Sequence, residues 1–172
     1  MAPFVGSEQV RVTAAPQRTT GVCRLSIRGD GSQNALGRLY QEGAYKVRLP
    51  RKAPGDALEA VLINTSGGLT GGDKMALTLD IGDQASAVIT TQACEKFYKS
   101  TGAPVSVSSD VTVGENAVLH WLPQESILFD RAHVQRDLII KLAPSARLVA
   151  LEAVLLGRKW KNETFEIGQF TD

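Results

Sequence analysis

The residues of this 172-residue chain best suited to chemistry are a glycine run ending on an acid, scattered carboxylates, two histidines and two cysteines. The run Gly67-Gly68-Leu69-Thr70-Gly71-Gly72-Asp73 is the densest cluster. A phosphate-binding loop would need Lys then Ser or Thr after its last glycine, and a helix start to aim amide N–H groups at the phosphate. Asp73 stands there instead, and its carboxylate would repel phosphate. A dinucleotide fingerprint needs its glycines between a strand and a helix, whereas the residues after Asp73 read as a strand. Two readings remain for Gly67, Gly68, Gly71 and Gly72. They form either a turn whose glycines supply φ > 0, or a loop that brings backbone against a channel or partner and aims Asp73 into it.

Structural zinc sites use closely spaced Cys and His pairs. Cys23 and Cys94 form no CxxC, and His120 and His133 supply no such pair, so neither a tight metal site nor a tightly bound cofactor is expected. Carboxylates such as Asp73, Glu95, Glu125 and Glu152 are oxygen ligands that hold a late transition metal only weakly, so any metal contact they make is transient. The plainer account of any one of them is a solvated or capping acid. No GxSxG, HExxH or Ser/His/Asp set is visible from spacing. The stretch Trp121-Leu122-Pro123-Gln124-Glu125-Ser126-Ile127-Leu128-Phe129 is apolar with a rigid kink at Pro123. It is either core or a protein interface.

These residues must be positioned by strands. Val22 to Ile27 alternates apolar and polar, Arg28 to Ser32 is a turn cluster, Leu36 to Leu49 reads as short extended pieces, and Leu58 to Ile63 is a mostly apolar strand. From Lys74 the chain repeats a strand, a tight turn and a strand. The turn alanines Ala85, Ala117 and Ala146 lie 32 and then 29 residues apart. Self-similarity of this period predicts stacked units, each too small to hide its apolar face alone. The expected fold is mostly β, an irregular β-helix or solenoid-like stack of short strands and hairpins with little helix; an ordinary sandwich of similar hairpins is the rival. Gln92 to Lys99 fits one or two helical turns or an extended segment. Residues 1–20 read as a loose lead-in and 21–172 as a single β-rich domain.

Composition bounds function. Nineteen Lys and Arg against eighteen Asp and Glu leave a net charge of +1. That balance supplies no basic face for nucleic acid and no polybasic membrane signal. No apolar run resembles a signal peptide or a membrane span, and the two cysteines form no disulfide framework. The chain reads as cytoplasmic.

Five stretches, in order, resemble the UreD (UreH) family of urease accessory proteins. They are Ala44 to Pro50, Leu62 to Asp73, Thr90 to Gly102, Trp121 to Phe129, and Leu156-Gly157-Arg158 followed by Glu163. The resemblance implies a β-helix-like fold without enzyme activity. It implies UreF-type and UreG-type partners, docking on apo-urease, and support of nickel insertion, with Ni²⁺ bound only in transit. It places Asp73 and Glu152 facing an internal channel with Glu95 nearby, and it makes Pro123, Gln124, Gly157, Arg158 and Glu163 motif residues of structural role. A buried path for a dication needs carboxylates to replace its water. Ser66 stands where many relatives carry Pro, and Asn162 replaces the second Gly of the GRxxxGE motif. The family continues past the position of Asp172, so the stack is expected to end on an unpaired edge and the chain to be poorly soluble or inactive alone.

Overall fold

The computed structural model describes residues 17–158 and 163–172; residues 1–16 of the lead-in and Asn162 lie outside the described residues. Strands are numbered in chain order. One sheet runs, edge to edge, β14 (Gln169–Thr171), β11 (His133–Leu142), β8 (Val105–Val113), β5 (Lys74–Ile81), β1 (Thr20–Gly29), β2 (Asn34–Gly43). A second runs β12 (Arg147–Ala150), β9 (Val118–Trp121), β6 (Ser86–Thr91), β4 (Leu58–Asn64), β3 (Tyr45–Arg48). A third, short one runs β13 (Val154–Leu156), β10 (Ser126–Leu128), β7 (Glu95–Phe97). The described residues contain no helix, hence none long and apolar enough to cross a membrane. Gln92 to Lys99 is extended, with β7 inside it.

The stacked reading holds, and the structure refines what a unit is. The strands on either side of Ala85 do not pair with each other. β5 pairs in parallel with β8, and β8 with β11, while β6 pairs with β9 and β9 with β12. Each coil visits the first sheet, the second and the third before returning one strand higher, so the turn at Ala85 is an arch between sheets. Parallel strands need long crossovers, and here the other two sheets provide them. Register follows the repeat: Met75 lies beside Val107 and Val107 beside Arg136. Antiparallel pairs occur at the other end, where β2 covers the edge of β1 and β3 that of β4.

Alternation explains burial. Cys23, Leu25 and Ile27 point inward from β1 and meet Leu77, Leu79 and Ile81 of β5 and Ala87 and Ile89 of β6. Each fully buried Leu or Ile contributes roughly 1.5–3 kcal/mol. Ala85 and Ala117 are buried where two sheets converge. The residue before each is left-handed, Gln84 at φ 58° and Asn116 at φ 56°, which tightens the corner. A second core gathers Leu69, Met75, Phe97, Val105, Leu128 and Val134 against the third sheet. In the last coil Leu142, Val149, Leu151 and Leu156 are exposed. At the other terminus Thr19 is already tied into the fold, its carbonyl accepting the Lys74 N–H at 2.9 Å.

Candidate functional site

The two cores do not merge. Between them runs a seam with two partly open cavities of about 190 Å³ and about 90 Å³. Tyr45, Leu62, Thr91, Glu95 and Val107 line both, so the two cavities are adjacent and Glu95 belongs to the wall they share. Tyr45 packs against both cores. It keeps accessible surface although it is deeply enclosed, because that surface is cavity wall; burial pushes its hydroxyl far above the ordinary tyrosine range.

Glu95 opens β7, the first rung of the third sheet. Parallel stacking puts Ser126 directly beside it and Val154 beside Ser126. The Asn64 amide Nδ2 donates to both carboxylate oxygens, at 3.0 and 3.2 Å, and the Lys96 backbone N–H donates at 3.2 Å. Asn64 is oriented in turn by Ser66, whose N–H donates to its Oδ1 at 2.9 Å. Burial raises the Glu95 pKa above its usual range, with the Asn64 hydrogen bond and Lys96 acting in the opposite direction. Among the described residues no cation lies within ion-pair distance of Glu95.

Glu152, just past β12, lines the smaller cavity. Trp121 Nε1 donates to its Oε1 at 3.0 Å, and Arg136 Nη2 meets its Oε2 at 2.8 Å. Glu152 and Glu95 thus line one partly open cavity from different coils.

Asp73 lies elsewhere. It is 3% exposed and lines neither cavity. Oδ1 accepts the Thr19 N–H and Oδ2 the Thr70 N–H, both at 2.8 Å. Of the glycine run, Gly67 and Gly68 line the larger cavity. A Cβ on Gly68 would lie 2.4 Å from the Tyr98 ring, and one on Gly71 2.5 Å from the Ala103 carbonyl. Both readings of the run therefore apply in part: it is a close-packed turn, and its backbone borders a cavity. Leu69 bridges to Phe97 and adds a rung to the third sheet.

Of the other motif residues, two line this space and three lie outside it. Pro123 and Gln124 line the smaller cavity, and the Gln124 N–H donates to Thr91 Oγ1 at 2.9 Å. Gly157 has φ 69° and its N–H donates to the Leu128 carbonyl at 2.8 Å. Arg158 and Glu163 pair through backbone and side chains, Nε to Oε2 at 2.6 Å, and the Arg158 guanidinium stacks on Phe129 at 4.4 Å. Cys94 borders the larger cavity and its thiol donates to Glu125 at 3.2 Å. His120 and His133 line neither cavity. Among the described residues no three His, Cys, Asp or Glu side chains converge as a metal site. Tyr40, on β2, and Tyr98, just past β7, are exposed.

Sequence reading missed Tyr45, Asn64, Ser126 and Arg136. Tyr45, Asn64 and Ser126 fall inside the family-like stretches without standing out there, whereas Arg136 carries a signal of its own: Val134, Arg136, Leu138 and Ile140 alternate on one face of β11, which sets a cation on an apolar stripe.

The model of the family described as UreD urease accessory protein matches residues 19–172, the whole of the stack. The chain belongs to the UreD family of urease accessory proteins. It is 48% identical over 158 residues to the urease accessory protein UreD of Sinorhizobium medicae, covering 92% of this chain and 57% of that protein. Identity is 47% to the UreD of Mesorhizobium japonicum, covering 91% of this chain and 55% of that one. It is 45% to the UreD of Rhizobium leguminosarum bv. viciae, covering 95% and 59%. The chain thus spans a little over half the length of these relatives.

Proposed function

We propose that this chain serves urease maturation as a non-catalytic scaffold that passes nickel ions through the seam between its two cores. The observation that carries this reading is the pair of adjacent cavities that share Glu95 in their walls, with Glu152 also lining the smaller one. A dication entering a protein interior must exchange water for oxygen ligands. Carboxylates spaced along a path provide them, and Glu95 has amide donors but, among the described residues, no paired cation that an arriving dication would have to displace. Two carboxylates without thiolate or imidazole hold nickel weakly, which permits release. Asp73, its oxygens taken by backbone amides, serves as an anchor rather than a relay. In this reading the cargo is Ni²⁺, delivered to apo-urease in the cytoplasm together with UreF-type and UreG-type partners, the last supplying GTP hydrolysis.

The test is urease activation at limiting nickel with Glu95→Gln and Glu152→Gln, against Glu59→Gln on the outer face of β4 as a control. The reading expects activation to fall several-fold for the first two and to stay unchanged for the third. Equal activation by all three would remove the passage.

A further inference from the structure

Arg136 is the one cation of this interior that neither the family relationship nor the passage requires. It occupies an inward position of β11, between Val134 and Leu138, with a side chain only 11% exposed. An inward guanidinium is expensive unless its donors are filled, and these are. Nη2 meets Glu152 Oε2 at 2.8 Å, Nε donates to Asp172 Oδ1 at 2.8 Å, and Nη1 reaches Ser126 Oγ at 3.4 Å. Nη2 also meets Asp172, and the guanidinium lies 5.3 Å above the Phe170 ring. Two carboxylates from different coils therefore share one cation at the wall of the smaller cavity.

We propose that Arg136 is a resident counter-cation that fills the Glu152 seat when no metal is present, and that a passing dication displaces it onto Asp172. This rests on the passage proposed above. Trp121 occupies the other oxygen of Glu152, so Oε2 is the oxygen a metal would take, and Arg136 sits on it. Displacement does not orphan the charge, because Nε and Nη2 retain Asp172 as a bidentate partner, the geometry that suits guanidinium to carboxylate. A fixed positive charge beside the ion's path also weakens its hold. Glu152 then passes the dication on instead of trapping it.

The experiment measures Ni²⁺ binding to the whole chain by equilibrium dialysis, with thermal melts to confirm folding. Arg136→Met, which keeps the stem and removes the charge, should tighten Ni²⁺ binding about ten-fold, a difference of about 1.4 kcal/mol. Arg136→Lys, which keeps the charge but not the bidentate fork, should tighten binding less than Arg136→Met. Asp172→Asn, which leaves Glu152 as the sole carboxylate partner, should weaken binding several-fold. Glu152→Gln and Glu95→Gln should both weaken it. Unchanged binding in Arg136→Met, or equal tightening in Arg136→Lys, overturns the counter-cation while leaving the passage intact. If Arg136→Met fails to fold, unchanged binding in Asp172→Asn overturns it just as directly. Wild-type binding by both Glu95→Gln and Glu152→Gln would remove the passage itself, and this inference with it.

Discussion

Two regions of this molecule take a carboxylate out of bulk water, Asp73 fully and Glu95 in part, and they treat it in opposite ways. At the glycine turn, Asp73 has the backbone N–H groups of Thr19 and Thr70 on its two oxygens and borders no cavity. In the seam, Glu95 is held by the Asn64 amide and the Lys96 N–H and lines two adjacent cavities. The first tethers the strand entering β1 to the loop entering β5. The second has no ion-pair partner among the described residues and lies beside open space. The two acids differ in what fills their lone pairs and in whether space lies beside them.

The strongest way to break this contrast is Asp73→Ala. It leaves two enclosed N–H donors without partners, and hydrogen bonds to a charged acceptor contribute about 1.5–3 kcal/mol each. A loss of about 3 kcal/mol is expected in denaturant titration; a loss under about 1 kcal/mol would mean Asp73 is not an anchor. Gly68→Ala probes the loop between the two regions. The added Cβ would meet the Tyr98 ring at 2.4 Å, and the backbone has φ 143°, so a cost of about 2 kcal/mol is expected. Trp121→Phe removes the Nε1 donor to Glu152 and should cost about 1 kcal/mol.

The smallest effect has the opposite sign. Burial raises the Glu95 pKa above its ordinary value of 4.5, so the native chain holds this proton more tightly than the unfolded one. Stability therefore falls as pH rises from the unfolded value through the raised native one. Glu95→Gln should raise the melting temperature at pH 7 and lose that advantage below about pH 4.5, where both states are protonated. A melting temperature lowered at pH 7 would show that Glu95 is a structural acid like Asp73.

The sequence reading reached the stack but not its wiring. Alternation in Leu77, Leu79 and Ile81, and in Ala85, Ala87 and Ile89, reveals which side chains are buried. It cannot reveal that the strands around Ala85 enter different sheets, because an arch and a hairpin have the same inward positions. Strands of the third sheet, such as Glu95–Phe97 and Ser126–Leu128, are too short to show a period. Glu95 and Glu152 were legible through the family's motifs. Their companions were not, since Glu95 meets Ser126, and Trp121 meets Glu152, only across the turn of a coil. The Arg136 signal, a cation on an apolar stripe, is one a lone strand cannot distinguish from a solvated edge.

The central claim is that the seam, not the glycine turn, carries the ion. Urease activation per folded molecule at limiting nickel, compared between Glu95→Gln and Asp73→Asn, tests it most directly. The account predicts that Asp73→Asn is less stable yet activates normally once corrected for folded protein, while Glu95→Gln is at least as stable as the wild type and activates several-fold less. Normal activation by Glu95→Gln together with a deficit in folded Asp73→Asn would contradict it.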